Sequence, residues 1–153
     1  ADGDDLFCDP ELIDKAFEQY KNTGADFIQA TGIVCGAFTY GIKAEALRKV
    51  CEIKDTTDTE MMWVYFTDTG IFNVEELRNV DPIYYRDDIR MTLDYDDDLE
   101  FFKTIIDNFS DKEFSLNDII QYLDDNPQIK DINFHLQEKW SQNQKDKTRL
   151  AIR

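Results

Sequence analysis

The feature that most constrains the fold of this chain is an alternation of capped amphipathic helices with short apolar runs. Asp9 stands where an N-cap belongs, Pro10 occupies the first helical position, and Leu12, Ile13, Ala16, Phe17 and Tyr20 recur on one helical face before Gly24. Asp26–Thr31 and Cys35–Tyr40 read as short strands, and Ala44, Leu47, Val50 and Cys51 mark a second amphipathic helix. The apolar run Met61–Phe66 has no period that decides its type, whereas Ile71–Val74 and Ile89–Leu93 read as strands. Asp96 is expected to cap a third helix with Leu99, Phe102, Ile106 and Phe109 on its face. Such an alternation indicates an α/β domain.

The character changes after Phe109. Ser115 and Asp118 have the spacing of a capping box, Leu116, Ile119, Ile120 and Leu123 supply an apolar face, and Asn126-Pro127 stops that helix. Residues 111–153 therefore form a helical appendix to residues 1–110, docked as far as Trp140 and expected to fray beyond it.

Charge follows the same division. Of the 17 basic and 33 acidic residues, residues 1–110 hold 10 and 25, and residues 111–153 hold 7 and 8. The net charge of −16 is thus almost wholly a property of the first part. A 42% hydrophobic share in 153 residues suffices for a core, which argues against global disorder. An acidic surface without a basic stripe disfavours nucleic acid, and no apolar run reaches the ~18 residues of a membrane span. Cys8, Cys35 and Cys51 are odd in number and scattered, which fits reduced, mostly buried thiols in a cytoplasmic protein.

Two acidic clusters could carry chemistry: Asp2, Asp4, Asp5, Asp9, Glu11 and Asp14, and a second around Arg90 that runs from Asp87 to Glu100. Asp94 follows the strand-like Arg90–Leu93 and precedes a helix, so its carboxylate is expected at the carboxyl end of a strand, where open α/β sheets bind ligands. Asp4 occupies a similar loop before the first helix. Together they would make a hard-oxygen site for Mg²⁺ or Mn²⁺; the alternative is that both simply cap helices or face solvent. Asp94, Asp96 and Asp98 open like an EF-hand loop, but Leu99 replaces the required Gly and Ile105 the bidentate Glu, which excludes it. His135, the one histidine, has no nucleophile suggested beside it, so a catalytic triad is unsupported. Trp63, Tyr65 and Phe66 suit a sugar pocket, a subunit contact or, by default, the core.

The stretch Gly3-Asp4-Asp5-Leu6-Phe7-Cys8-Asp9-Pro10-Glu11-Leu12-Ile13-Asp14 resembles the G-D-x-P-L-x-D-P-E-x-I-D segment of sugar-activating cytidylyltransferases, and Arg90–Glu100 resembles their R-x-T-x-D-x-P-E-D-L-E segment. The likeness runs from about residue 2 to residue 140 and is greatest to the acylneuraminate cytidylyltransferase group and its spore coat polysaccharide biosynthesis relatives, in which an appendix similar to Tyr122–Asn133 follows the catalytic domain. It implies a glycosyltransferase-A-like nucleotidyltransferase fold, a mixed sheet with flanking helices. It also implies attack of a sugar or sugar-acid hydroxyl on CTP, giving a CMP-sugar and pyrophosphate. By the same resemblance Asp4 and Asp94 hold the metal, Arg90 offsets a sugar carboxylate or phosphate (a local salt bridge being the other reading), Glu60 lies near the sugar or a dimer contact, and a homodimer is expected. Asp96 and Asp97 replace the usual Pro and Glu. The family's amino-terminal strand and basic Gly-containing loop have no counterpart, so the chain is expected to be the carboxyl-terminal part of such an enzyme and inactive by itself. The alternative is a non-catalytic sugar-binding or oligomerisation domain that keeps the fold.

Overall fold

The computed structural model describes residues 2–57, 61–110 and 112–153 and is a mixed α/β fold: a small three-stranded sheet with flanking helices. The helices are α1 (Pro10–Thr23), α2 (Ala44–Ile53), α3 (Trp63–Thr67), α4 (Asp96–Phe109), α5 (Leu116–Asp125), α6 (Pro127–Phe134) and α7 (Gln137–Lys147). The strands are β1 (Phe27–Gln29), β2 (Gly41–Ile42) and β3 (Val74–Glu76), in spatial order β2-β1-β3. Phe27 is opposite Ile42 in the antiparallel pair and Val74 in the parallel one.

Helix α1 forms as its sequence dictates. The Asp9 carboxylate accepts the Leu12 N–H at 3.0 Å, and Gly24 closes the helix in the left-handed region at φ 66°, its N–H donating to the Tyr20 carbonyl. Its buried residues are Leu12, Ala16 and Gln19, not the full expected face, and Phe17 is 61% exposed. Gln19 takes the inward place because its amide donates to Glu75 and to the Glu76 carbonyl and accepts the Arg78 N–H, tying α1 to β3. Helix α4 is likewise turned by about one residue from expectation. Its N-cap is Tyr95 rather than Asp96, and it buries Asp98, Phe101, Phe102 and Ile105 while Leu99 and Ile106 face solvent. In α2, Ala46 and Val50 are inside, and Leu47 and Cys51 are exposed, so the thiol at 51 departs from the expected burial.

Two expected strands are something else, and a third, Ile71–Val74, pairs only from Val74 onward as β3. Cys35–Tyr40 breaks at Gly36, whose φ of 88° turns the chain; pairing in the sheet begins only at Gly41. Ile89–Leu93 is extended chain held by single contacts, a parallel bridge between Arg90 and Cys35 and a hydrogen bond from the Leu93 N–H to the Asp4 carbonyl. Met61–Phe66 resolves as the short helix α3, burying three consecutive residues, Val64, Tyr65 and Phe66. Burial on every side erases the period that would have announced it. Tyr65 and Phe66 are therefore core residues, Phe66 stacking on Phe27 with ring centroids 4.7 Å apart.

The main core runs continuously from Leu12 and Ile28 through Phe101 and Ile105 to Leu116, Ile119, Ile120, Leu123 and Ile129, so α5 and α6 share one core with the first part. Ser115 caps α5 through the expected reciprocal bonds with Asp118, and Pro127 ends α5 only to begin α6, since proline is tolerated at a first helical position. The carboxyl-terminal segment does not fray after Trp140. Helix α7 continues to Lys147, and the chain then returns so that Ile152 bridges Lys54 and the Tyr65 hydroxyl donates to the Ala151 carbonyl. None of the helices among the described residues is long and apolar enough to cross a membrane.

Candidate functional site

The two acidic motifs meet through the backbone. The bond from the Leu93 N–H to the Asp4 carbonyl, at 3.0 Å, sets the loop before α1 beside the peptide that leads into Asp94. Close approach of the Cys35-Gly36 and Arg90-Met91 backbones supports this junction. The Met91 N–H donates to the Cys35 carbonyl at 2.9 Å, and a Cβ on Gly36 would lie 1.9 Å from the Met91 carbonyl oxygen. Only glycine fits there.

In the loop, Asp2, Asp4 and Asp5 bring carboxylate oxygens within 4.8 Å of one another; Asp94 is not a member of that group. Asp5 accepts the Thr39 hydroxyl at 2.9 Å. Partial burial pushes its carboxyl up to about 6, the neighbouring Asp4 and Asp2 add to that shift, and the Thr39 bond opposes it. Three carboxylates this close repel one another, and hard oxygens are the donors that magnesium or manganese prefers.

Asp94 sits in a different electrostatic setting. Its Oδ2 accepts the Arg90 guanidinium at 2.8 Å and the Thr92 hydroxyl at 3.2 Å, while the side chain stays 25% exposed. Arg90 has a fully buried side chain. Its Nε and Nη2 grip Asp98 side-on at 2.9 and 3.0 Å, Nη1 donates to Gln137, and its plane lies against the rings of Trp140 and Tyr95. Asp98, also wholly buried, accepts in addition the backbone N–H groups of Asp94 and Tyr95 and the Asn133 amide. Burial opposes the charged form of Asp98, but Arg90, the Asp94 N–H and Asn133 outweigh it and hold the carboxyl below its ordinary value.

The structure thus sets the Asp4 and Leu93 backbones side by side, leaves the Asp94 carboxylate outside the Asp2, Asp4 and Asp5 group, and pairs Arg90 with Asp98 and Asp94, the local ion pair that was its other reading. Glu60 lies outside the described residues. His135 is exposed and 3.3 Å from Asp97. Asp98, Asn133, Gln137 and Trp140 were not singled out by sequence reasoning as site residues; the one available signal was the D-L-E segment beginning at Asp98, inside the motif that pointed to Asp94. Further out, Arg86 pairs with Asp88 and Asp124, and Lys130 also reaches Asp88.

The chain is 29% identical over 140 residues to an uncharacterized protein of Methanocaldococcus jannaschii, a match that covers 90% of this chain and 57% of that protein. The chain therefore spans a little over half the length of this relative. No family model and no solved structure matches the chain.

Proposed function

We propose that the chain is the carboxyl-terminal part of a CTP-dependent cytidylyltransferase of glycosyltransferase-A-like fold, which transfers a cytidylyl group to a hydroxyl of a sugar or sugar acid in the cytoplasm. The observation that carries this reading is the hydrogen bond from Leu93 to Asp4, because it makes neighbours of two motifs that lie far apart in sequence and that both resemble the acidic motifs of that family. Asp4 and Asp94 would hold Mg²⁺ or Mn²⁺. A bound divalent cation supplies charge neutralisation at the triphosphate, which an acidic protein would otherwise repel. Of the two carboxylates, Asp94 is the one held in place, by Arg90 and Thr92. A basic loop that reads the base, such as the resembled family has, would lie outside the 153 residues, and a homodimer is part of the same proposal.

The experiment is an assay of pyrophosphate release from CTP by the product of the complete reading frame, offered a panel of sugars and sugar acids with Mg²⁺. Turnover that is abolished by Asp94→Ala supports the reading; absence of turnover, or an unchanged rate in that variant, contradicts it. These 153 residues alone should release no pyrophosphate.

A second reading, a non-catalytic sugar-binding domain, draws on an apolar groove of about 620 Å³ between α1 and β2, lined by Phe17, Tyr20, Phe38 and Tyr40. Sugar binding that survives both Asp94→Ala and chelation of divalent cations would favour it.

A further inference from the structure

We propose that an extended apolar segment of the same polypeptide, preceding Asp2, adds as a further strand to the free edge of β2 and fills the groove beside α1. This inference rests on the reading of the chain as the carboxyl-terminal part of a longer protein; the archaeal relative, of which the match covers 57%, is longer in the same way. The groove is the overhang of a helix past the edge of a sheet. Helix α1 lies directly on β2, since a Cβ on Gly41 would come within 3.7 Å of the Ala16 Cβ. Beyond that contact Ile13, Phe17 and Tyr20 carry the apolar surface of α1 outward along the groove, and Phe17 is 61% exposed. Among the described residues no strand lies on the far side of β2. A helix in a layered α/β domain packs over strands, so an apolar overhang calls for one more.

The backbone at that edge is open to the same partner. Phe27 is opposite Ile42, and the Lys43 N–H donates to the Asp26 carbonyl at 3.0 Å, so residues 26 and 43 form a hydrogen-bonded pair. Alternation along an antiparallel strand then points the N–H and C=O of Ile42 away from β1. Tyr40 and Ile42 are both exposed beside them, and an exposed apolar edge is one that proteins cover. The occupant follows from where the chain arrives. The Asp9 N–H donates to the Ala37 carbonyl at 2.8 Å, Asp5 accepts the Thr39 hydroxyl at 2.9 Å, and the Asp2 carboxylate is within 4.8 Å of that of Asp5. Residue 2 therefore lies at the end of the groove where β2 begins. A segment that ends there and lies along β2 runs antiparallel to it, and with α1 over one face it would be an apolar run of about five residues. A second copy is the poorer occupant, because two chains of net charge −16 repel each other. The same space cannot also hold the sugar of the second reading.

The test is amide hydrogen exchange at Ile42, in the product of the complete reading frame and in the 153-residue chain, each as wild type, Phe17→Lys and Phe17→Leu. The expected result is exchange about a hundredfold slower in the complete protein than in the 153-residue chain. Phe17→Lys should leave the thermal midpoint of the 153-residue chain unchanged, because Phe17 faces solvent there, and should cut the protection of Ile42 in the complete protein about tenfold, while Phe17→Leu keeps it. Equally fast exchange in both proteins overturns the inference. So does protection that survives a proline placed in the apolar run before residue 2, which assigns the edge to another segment. Protection in the 153-residue chain that grows with its concentration assigns the edge to a second copy and overturns it as well. A complete reading frame with nothing before this chain overturns the inference together with the reading on which it rests. Protection of Ile42 in a complete protein that releases no pyrophosphate from CTP supports the inference and overturns the enzymatic reading alone.

Discussion

The two acidic clusters are built from the same residue types and have opposite electrostatic fates. Around Arg90 the carboxylates share cations supplied by the chain: Asp94 and Asp98 share Arg90, and Asp88 and the exposed Asp124 share Arg86 and Lys130. The Asp98, Asp88 and Asp124 carboxyls are all held below the ordinary range. In the loop before α1, Asp2, Asp4 and Asp5 have no Lys or Arg partner among the ion pairs of the described residues, and the Asp5 carboxyl is pushed up instead. The first cluster is neutralised by the protein itself. The second has no such side-chain partner among the described residues; burial and like charges raise Asp5, and the amino terminus and the Thr39 hydroxyl oppose them.

The largest expected effect removes the junction between the clusters. Gly36→Ala would put a methyl group into the Met91 carbonyl at a positive φ, and should cost about 3 kcal/mol or more, read as a collapse of the urea midpoint. Next, Arg90→Met strips Asp98 of its partner in a fully buried place; a loss of about 3 kcal/mol is expected, and a variant as stable as wild type would show that the pair contributes no net stability.

The loop responds with the opposite sign. An acid whose folded value is raised makes the folded state the stronger proton binder. Its unfavourable contribution is therefore absent below the ordinary value of 3.8 and complete once pH exceeds about 6. Asp5→Asn should accordingly stabilise the metal-free protein by about 1 kcal/mol at pH 7.5, a figure reduced for solvent screening, and by nothing measurable at pH 3.5. Thermal melts at the two pH values check this, and destabilisation at pH 7.5 would break the contrast between the clusters. The smallest effect belongs to the Arg86–Asp88–Asp124–Lys130 group, in which Asp124 is the exposed member. Asp124→Asn should lower stability by under about 1 kcal/mol, and the loss should shrink in 0.5 M salt, as screening of an exposed pair requires.

What could be read in the sequence was whatever is encoded locally. Asp9, Pro10 and Gly24 bound α1, Ser115 and Asp118 start α5, and both work through neighbours a few residues away. What could not be read depends on partners distant in the chain. Gln19 displaces an apolar residue from the buried face because Glu75 and Arg78 lie across from it, and α4 turns because Asp98 must meet Arg90 and Asn133. The same holds for the site. Asp4 and Asp94 stood out because each lies in a motif, whereas Gln137 and Trp140 belong to a polar segment whose role comes from where α7 crosses Arg90. Gly36 was expected inside a strand, and its backbone approach to Met91 became visible only in three dimensions.

The central claim of the proposed function is that Asp4 and Asp94 would hold one divalent cation, and crystals of this chain soaked in Mn²⁺ test it most directly. The account predicts an anomalous difference peak whose nearest carboxylates are Asp4 and Asp94. No peak there, with the metal absent or bound elsewhere on the acidic surface, would contradict it.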